Sequence, residues 1–418
     1  MSTTAILSRN RMTYEVTQPV SVKTRPHDTI LQYFERQDYK QNDTMIASLS
    51  SGKFFIDTSK SYVSINVALE TSGASASGNF GSGSVANLFK NVRIFHKSGT
   101  TITSCQNNDV NIKARDHIER DNFWFETIGL QQGYVVDPAV DFNLTTFAGP
   151  NGLQYKIKLC DLHGFFKGYN SALLPPEIAD GLRVEFDLNT VGQALQENDG
   201  LSTITGYKIL KPNIQLCLVK VMDNAALTVY NNAQKEGLSW AYDDTFISNK
   251  NYNENDNAIT ISVDKAVSVA KNCLVFSRDS PLQNNVTADS YRFRFRQLGT
   301  NWNFTLGNDL YPWKKKVTEP FDAYSILLDT FDSRYGVNLT PVGFFGSGAL
   351  NTGKCNGVYA LNLLTDDYLE MSGDFINSNK RLNFSIQKQT DTSASVWTTC
   401  LRYTKVLRVN GTNSRVDL

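Results

Sequence analysis

The chain has 418 residues, enough for two domains of about 200 residues that each bury a core of their own. Its 41 basic and 41 acidic side chains cancel, which removes the usual electrostatic basis for coating nucleic acid or docking on anionic lipid. No apolar run reaches membrane-spanning length and Met1–Asn10 lacks the apolar stretch of a signal peptide, so a chain made in the cytosol, with no transmembrane segment, is expected.

Residues 1–45 are polar and aperiodic, with Arg9, Arg11, Lys23 and Arg25 against Glu15 alone before residue 28, and read as an N-terminal arm. Val63, Ile65, Val67 and Leu69 then alternate with other residues, the period of a half-buried strand. The Gly/Ser loop Thr71–Ser84 leads to a second strand with Leu88, Val92 and Ile94 on one side. Asn108 or Asp109 suits the start of a helix whose Val110, Ala114 and Ile118 form one stripe. Strands resume at Tyr155, Ile157 and Leu159, and again where Leu182, Val184, Phe186 and Leu188 alternate with charged residues. The run Ile214–Met222 closes this unit, and the short, apolar junction between it and the second half implies two units fixed side by side.

The second half repeats the order. Ile259, Ile261 and Val263 alternate; Tyr291, Phe293 and Phe295 interleave with Arg292, Arg294 and Arg296; a short strand covers Trp302–Leu306. A helix comes next, capped by Thr318 with Pro320 in its first turn, and its expected inward stripe is Phe321, Tyr324, Leu328 and Phe331. Strands over Val358–Leu364, Leu382–Gln387 and Val396–Val409 close the chain. The expected fold is all-β: two tandem eight-stranded jelly rolls, at 46–215 and 216–418, with a few short helices.

No motif for catalysis withstands its structural context, and no catalytic, cofactor-binding or metal-ligating residue is assigned. Gly348–Cys355 has phosphate-loop spacing, but Cys355 replaces the hydroxyl that would hold magnesium, and a strand comes where a helix must begin. His27, His96, His117 and His163 are scattered; His117 reads as a surface helix residue. Asp243-Asp244 and Asp366-Asp367 read as solvated turns, since neighbours on a strand point to opposite faces and form no dyad. Tyr291–Arg296 has the makings of a nucleic-acid platform or of a plain strand with rings inward. Cys105, Cys160, Cys217, Cys273, Cys355 and Cys400 are far apart and read as buried thiols of a reducing compartment.

Against that background one stretch is specific. Tyr155–Asn189 (YKIKLCDLHGFFKGYNSALLPPEIADGLRVEFDLN) resembles the signature region of double jelly-roll major capsid proteins: a strand at Ile157–Leu159, a Gly164-Phe165-Phe166 turn, Leu174-Pro175, and a strand at Leu182–Leu188. Gly52–Asp57 followed by Tyr62–Leu69 resembles the opening strands of that family's first roll. The similarity is to the capsid proteins of virophages and polinton-like viruses, within the adenovirus-like lineage. It implies a homotrimeric, pseudo-hexagonal capsomer that tiles an icosahedral virion shell, contacts neighbouring capsomers, penton and minor capsid proteins, and is made in the host cytoplasm. It also implies that the arm lies inside the shell, so that deleting Met1–Pro26 leaves a folded trimer but impairs assembly. The competing expectation is a carbohydrate-binding or carbohydrate-active β-sandwich, with Trp240, Trp302, Trp313 and Trp397 as stacking platforms.

Overall fold

A computed structural model describes residues 24–72, 77–134, 147–148, 152–168, 173–198, 203–222, 224–256, 258–294, 301–313, 315–331, 344, 357–364, 373–387, 394–411 and 413–417. In the first half the main strands are β1 (Thr24–Tyr33), β2 (Thr44–Ser48), β3 (Phe55–Ser72), β4 (Phe89–Phe95), β5 (Thr101–Cys105), β6 (Leu153–Lys158), β7 (Arg183–Leu188) and β8 (Thr203–Val221). In the second they are β9 (Leu238–Tyr252), β10 (Ala258–Val263), β11 (Val267–Asp279), β12 (Asn301–Leu306), β13 (Asp309–Tyr311), β14 (Tyr359–Asn362), β15 (Leu382–Gln387) and β16 (Ser395–Asn410).

Each half builds its roll from two main antiparallel sheets, and the first half adds a small sheet of the short strands Ser77–Asn79, Phe147–Ala148 and Gln196–Glu197. The first pairs its strands in the orders β1-β8-β3-β6 and β2-β7-β4-β5. The second pairs them as β9-β16-β11-β14 and β10-β15-β12-β13. The two topologies are the same wiring: first strand against eighth, second against seventh, so that a long antiparallel ribbon is rolled on itself into a jelly roll. The alternation read in the sequence is what fills each roll. Val63, Ile65, Val67 and Leu69 point into the first core, and Ile259, Ile261 and Val263 into the second. Each such side chain contributes about 1.5–3 kcal/mol by leaving water.

Helix α1 (Asn108–Glu119) follows β5, α2 (Asn224–Glu236) links the halves, and α3 (Pro320–Phe331) follows β13. Gly237, at φ +104°, turns the chain out of α2 into β9, a conformation that only glycine adopts without strain.

Three expectations need correction. The arm does not run to residue 45: β1 and the short strand Asp38–Lys40 lie within it, and both pair with β8, β1 along its whole length. Its side chains are mostly exposed, so main-chain hydrogen bonds hold it at the sheet edge and no apolar period marks it. The boundary at 215/216 falls inside β8, which stays in the first sheet to Val221, and the linking segment is the helix α2. In α3 the buried face is Ala323, Ile326, Leu327, Thr330 and Phe331, while Phe321 is exposed, so the stripe is rotated from the expected one. Either set has helical spacing, and only the neighbouring sheet chooses between them.

Candidate functional site: the junction between the rolls

The two cores exchange residues. Val110, Ala114 and Ile118 of α1, with Cys105, pack into the second core; Tyr242 of β9 and Leu407 and Val409 of β16 pack into the first. α1 is therefore a shared element, its sequence-predicted stripe buried against the other half of the chain.

Around this apolar exchange lies a dense polar seam. Asp244, on β9, is buried and accepts from Thr103 Oγ1 at 2.9 Å and His163 Nε2 at 3.2 Å in the first roll. It also accepts from Tyr403 Oη at 3.1 Å, Lys405 Nζ at 2.6 Å and the Thr245 amide at 2.8 Å in the second. His163 Nδ1 accepts from the Phe165 amide at 3.1 Å, which leaves the ring proton on Nε2, aimed at Asp244. Burial alone would raise the Asp244 pKa, but His163 and Lys405 outweigh it and hold the carboxylate well below its ordinary range. Next to it, Gly164 lets the first roll approach the main chain of β9: an added Cβ would overlap the Asp243 carbonyl oxygen. Trp240 Nε1 donates to the Phe165 carbonyl at 2.9 Å, and Tyr242 Oη to that of Ile102 at 2.8 Å.

The polar face of α1 carries the second layer. Asp109 accepts from Tyr291 Oη at 2.5 Å and Asn189 Nδ2 at 2.8 Å, and burial raises its pKa. Lys113 donates to the Tyr291 carbonyl and stands 3.8 Å from the centroid of the Phe293 ring. Asp116 is bound by Arg115 at 2.8 Å and Tyr134 Oη at 3.0 Å; Arg120 bridges to Asp161 at 2.6 Å; Arg402 of the second roll reaches Glu119 at 2.8 Å. Arg115, Arg120, Asp161, Asp243 and Arg402 help line a cleft of about 470 Å³ between the rolls. The loop after β11 closes the far side: Asp289 accepts from the Ser82 amide at 3.1 Å, and Ser290 Oγ donates to the Gly192 carbonyl at 2.9 Å. Each carboxylate here is engaged by cations or hydrogen-bond donors. Such a set fixes relative position. Among the described residues no group of three or more His, Cys, Asp or Glu is placed to hold a metal.

No protein-family model and no curated protein sequence matches the chain. Solved structures do. Over 97% of its length it superposes on 99% of a chain of the PBCV-1 virus capsid, with a TM-score of 0.64 at 12% identity. It covers 93% of a chain of the Sputnik virophage structure at a TM-score of 0.60 and 13% identity. For the mavirus major capsid protein the coverage is 96%, the TM-score 0.56 and the identity 11%. The fold is that of double jelly-roll capsid proteins. At such low identity the similarity is one of architecture, and it runs through both rolls.

Within this double jelly roll the Gly-Phe-Phe turn acquires a physical role, since Gly164 and Phe165 sit on the seam with β9. Sequence reasoning missed the seam because its partners lie from 75 to 283 residues apart. Two readings are overturned. Asp243-Asp244 lies on β9, with Asp243 paired to Lys271 at 2.6 Å and Asp244 facing the first roll. His117 is half-buried and engaged instead of lying free on the surface: it donates to the Ser82 carbonyl at 3.0 Å between the Phe125 and Tyr134 rings. Burial lowers its pKa to about 3. Cys105, Cys273 and Cys400 are buried and, like Cys160 and Cys217, free thiols. Of the four tryptophans offered as sugar platforms, Trp302 and Trp397 are in the core and Trp240 is anchored in the seam. Trp313 alone of the four is exposed, at 37%, so the set of platforms on which the carbohydrate reading rested is not assembled. Gly348–Cys355 and Asp366-Asp367 lie outside the described residues.

Proposed function

We propose that this chain is the major capsid protein of a virus, a non-enzymatic wall component that assembles into homotrimeric capsomers. The observation that carries the reading is the double jelly roll itself, matched to capsid proteins over 97–100% of the chain. The physical support is the seam. Two rolls locked by exchanged core residues and buried ion pairs behave as one rigid block, and three such blocks present six rolls as a pseudo-hexagon able to tile an icosahedral facet. Zero formal net charge suits a wall that encloses a genome without condensing it. On this reading the rolls are residues 24–222 and 238–417. The partners are further copies of the chain, neighbouring capsomers, and penton and minor capsid proteins, in the virion shell. Negative-stain microscopy of the purified protein tests this: hexagonal particles or shells are expected, and a field of folded monomers would refute it.

A further inference from the structure

The cleft between the rolls, about 470 Å³, has the size of a ligand site, for which roughly 300–1,000 Å³ is usual. Its charged lining is unbalanced: Arg115, Arg120, Lys158, Lys167 and Arg402 stand against Glu119, Asp161 and Asp243. All three carboxylates are already engaged. Arg402 holds Glu119 at 2.8 Å, Arg120 holds Asp161 at 2.6 Å, and Lys271, buried behind the lining, holds Asp243 at 2.6 Å. Arg115 is matched by Asp116, whose side chain is wholly buried. No carboxylate of a described residue pairs with Lys158, half-buried at the end of β6, or with Lys167, exposed just past the Gly-Phe-Phe turn. With the two buried partners counted, six cations meet four carboxylates, a local excess of two positive charges in a chain of zero formal net charge.

The surplus is concentrated. Lys158, Arg115 and Arg120 all bear on one thiol, that of Cys160, which lines the cleft and is half-buried. Trp124 and Ile128 give the cleft an apolar wall, and the Arg120 guanidinium stands 4.9 Å from the centroid of the Trp124 ring. Both rolls contribute: α1 and the end of β6 from the first, β9 and β16 from the second.

We propose that this cleft binds an acidic peptide segment of a partner protein, its carboxylates taken by Lys158 and Lys167 and an apolar side chain laid against Trp124 and Ile128. Charge selects the occupant. Residues 1–23 of the chain itself carry Arg9, Arg11 and Lys23 against Glu15, the wrong sign. A nucleic-acid strand needs an open basic track for successive phosphates, and two surplus charges in a cleft walled by both rolls offer none. A small inorganic anion would leave the apolar wall uncovered, whereas a peptide satisfies both kinds of surface. The site belongs to a single chain and does not depend on the trimer, so its failure and that of the capsid reading are separate results.

The test uses the full chain and an end-blocked, fluorescently labelled peptide that alternates glutamate with phenylalanine. Fluorescence anisotropy compares the wild type with Lys158→Glu/Lys167→Glu and with Lys53→Glu/Lys97→Glu, which makes the same change in net charge at exposed lysines off the cleft; circular dichroism reports the fold. The expected result is saturable wild-type binding that weakens with added salt and falls about tenfold or more in the cleft variant alone. Absence of wild-type binding, an equal fall in both folded variants, or equal binding of the peptide with lysine in place of glutamate overturns the proposal. So does displacement of the peptide by a thymidine oligonucleotide of equal charge at lower concentration, the outcome that would make this a nucleic-acid site. Alkylation of the wild type by iodoacetamide decides without any variant. Bound peptide should slow the labelling of Cys160 several-fold and leave Cys217, half-buried on β8 and off the cleft, unchanged; no slowing at Cys160, or equal slowing at both, overturns the proposal.

Discussion

Gly164 and Asp244 are the residues on which the seam is most sensitive. Gly164→Ala places a methyl against the Asp243 carbonyl, and since main chain lies on both sides the strain has little outlet. A loss of about 2–3 kcal/mol is expected, read as a lower denaturation midpoint. Asp244→Asn removes the charge that faces Lys405 and His163 and leaves a buried lysine short of its partner, at a cost of about 3 kcal/mol. Because the folded pKa of Asp244 is depressed, its contribution is present above the unfolded carboxylate value of about 4 and lost as the pH falls below it. The variant should therefore show a shallower loss of stability in acid. His117 behaves differently: burial first and Lys113 second pull its folded pKa to about 3, whereas an unfolded histidine takes its proton near pH 6.5. Between those values the unfolded chain binds more protons, so stability falls as the pH drops from 7 to 5. Part of the ring reaches solvent, which trims the loss to about 1 kcal/mol. Denaturation at the two pH values should show this component in the wild type and not in His117→Gln.

The elements differ in how much of their placement a linear pattern carries. β3, β7, β10 and β15 were legible because each has one face in a core and one outside, and the alternation records it. α1 was legible for the same reason, although its stripe could not reveal which roll it enters. α3 was legible as a helix and misread in rotation. Here the corrected face makes a clear prediction: Leu327→Ala should cost about 3 kcal/mol as a buried truncation, and Leu328→Ala less than about 1 kcal/mol, by thermal unfolding. β1 was not legible at all, since an edge strand held by main-chain hydrogen bonds needs no apolar period.

For the whole molecule, β1 separates what is dispensable from what is structural. Deleting Met1–Lys23 removes no described strand and should leave the melting temperature unchanged. Extending the deletion through Tyr33 strips β8 of its neighbour along residues 213–221 on one side and opens a long sheet edge, so a lower melting temperature and concentration-dependent scattering are expected.

The amino-acid order by itself determined the class of the fold, the twofold repetition of its wiring and the residues that fill each roll. Strand alternation and helical stripes are local consequences of burial, and burial leaves a period in the sequence. Tertiary structure alone decided that α1 belongs to both cores, that Asp244 meets His163 and Thr103, and that Gly164 is needed for contact with β9. Those contacts join residues tens to hundreds of positions apart, and they depend on where one roll stops against the other, for which no local period exists.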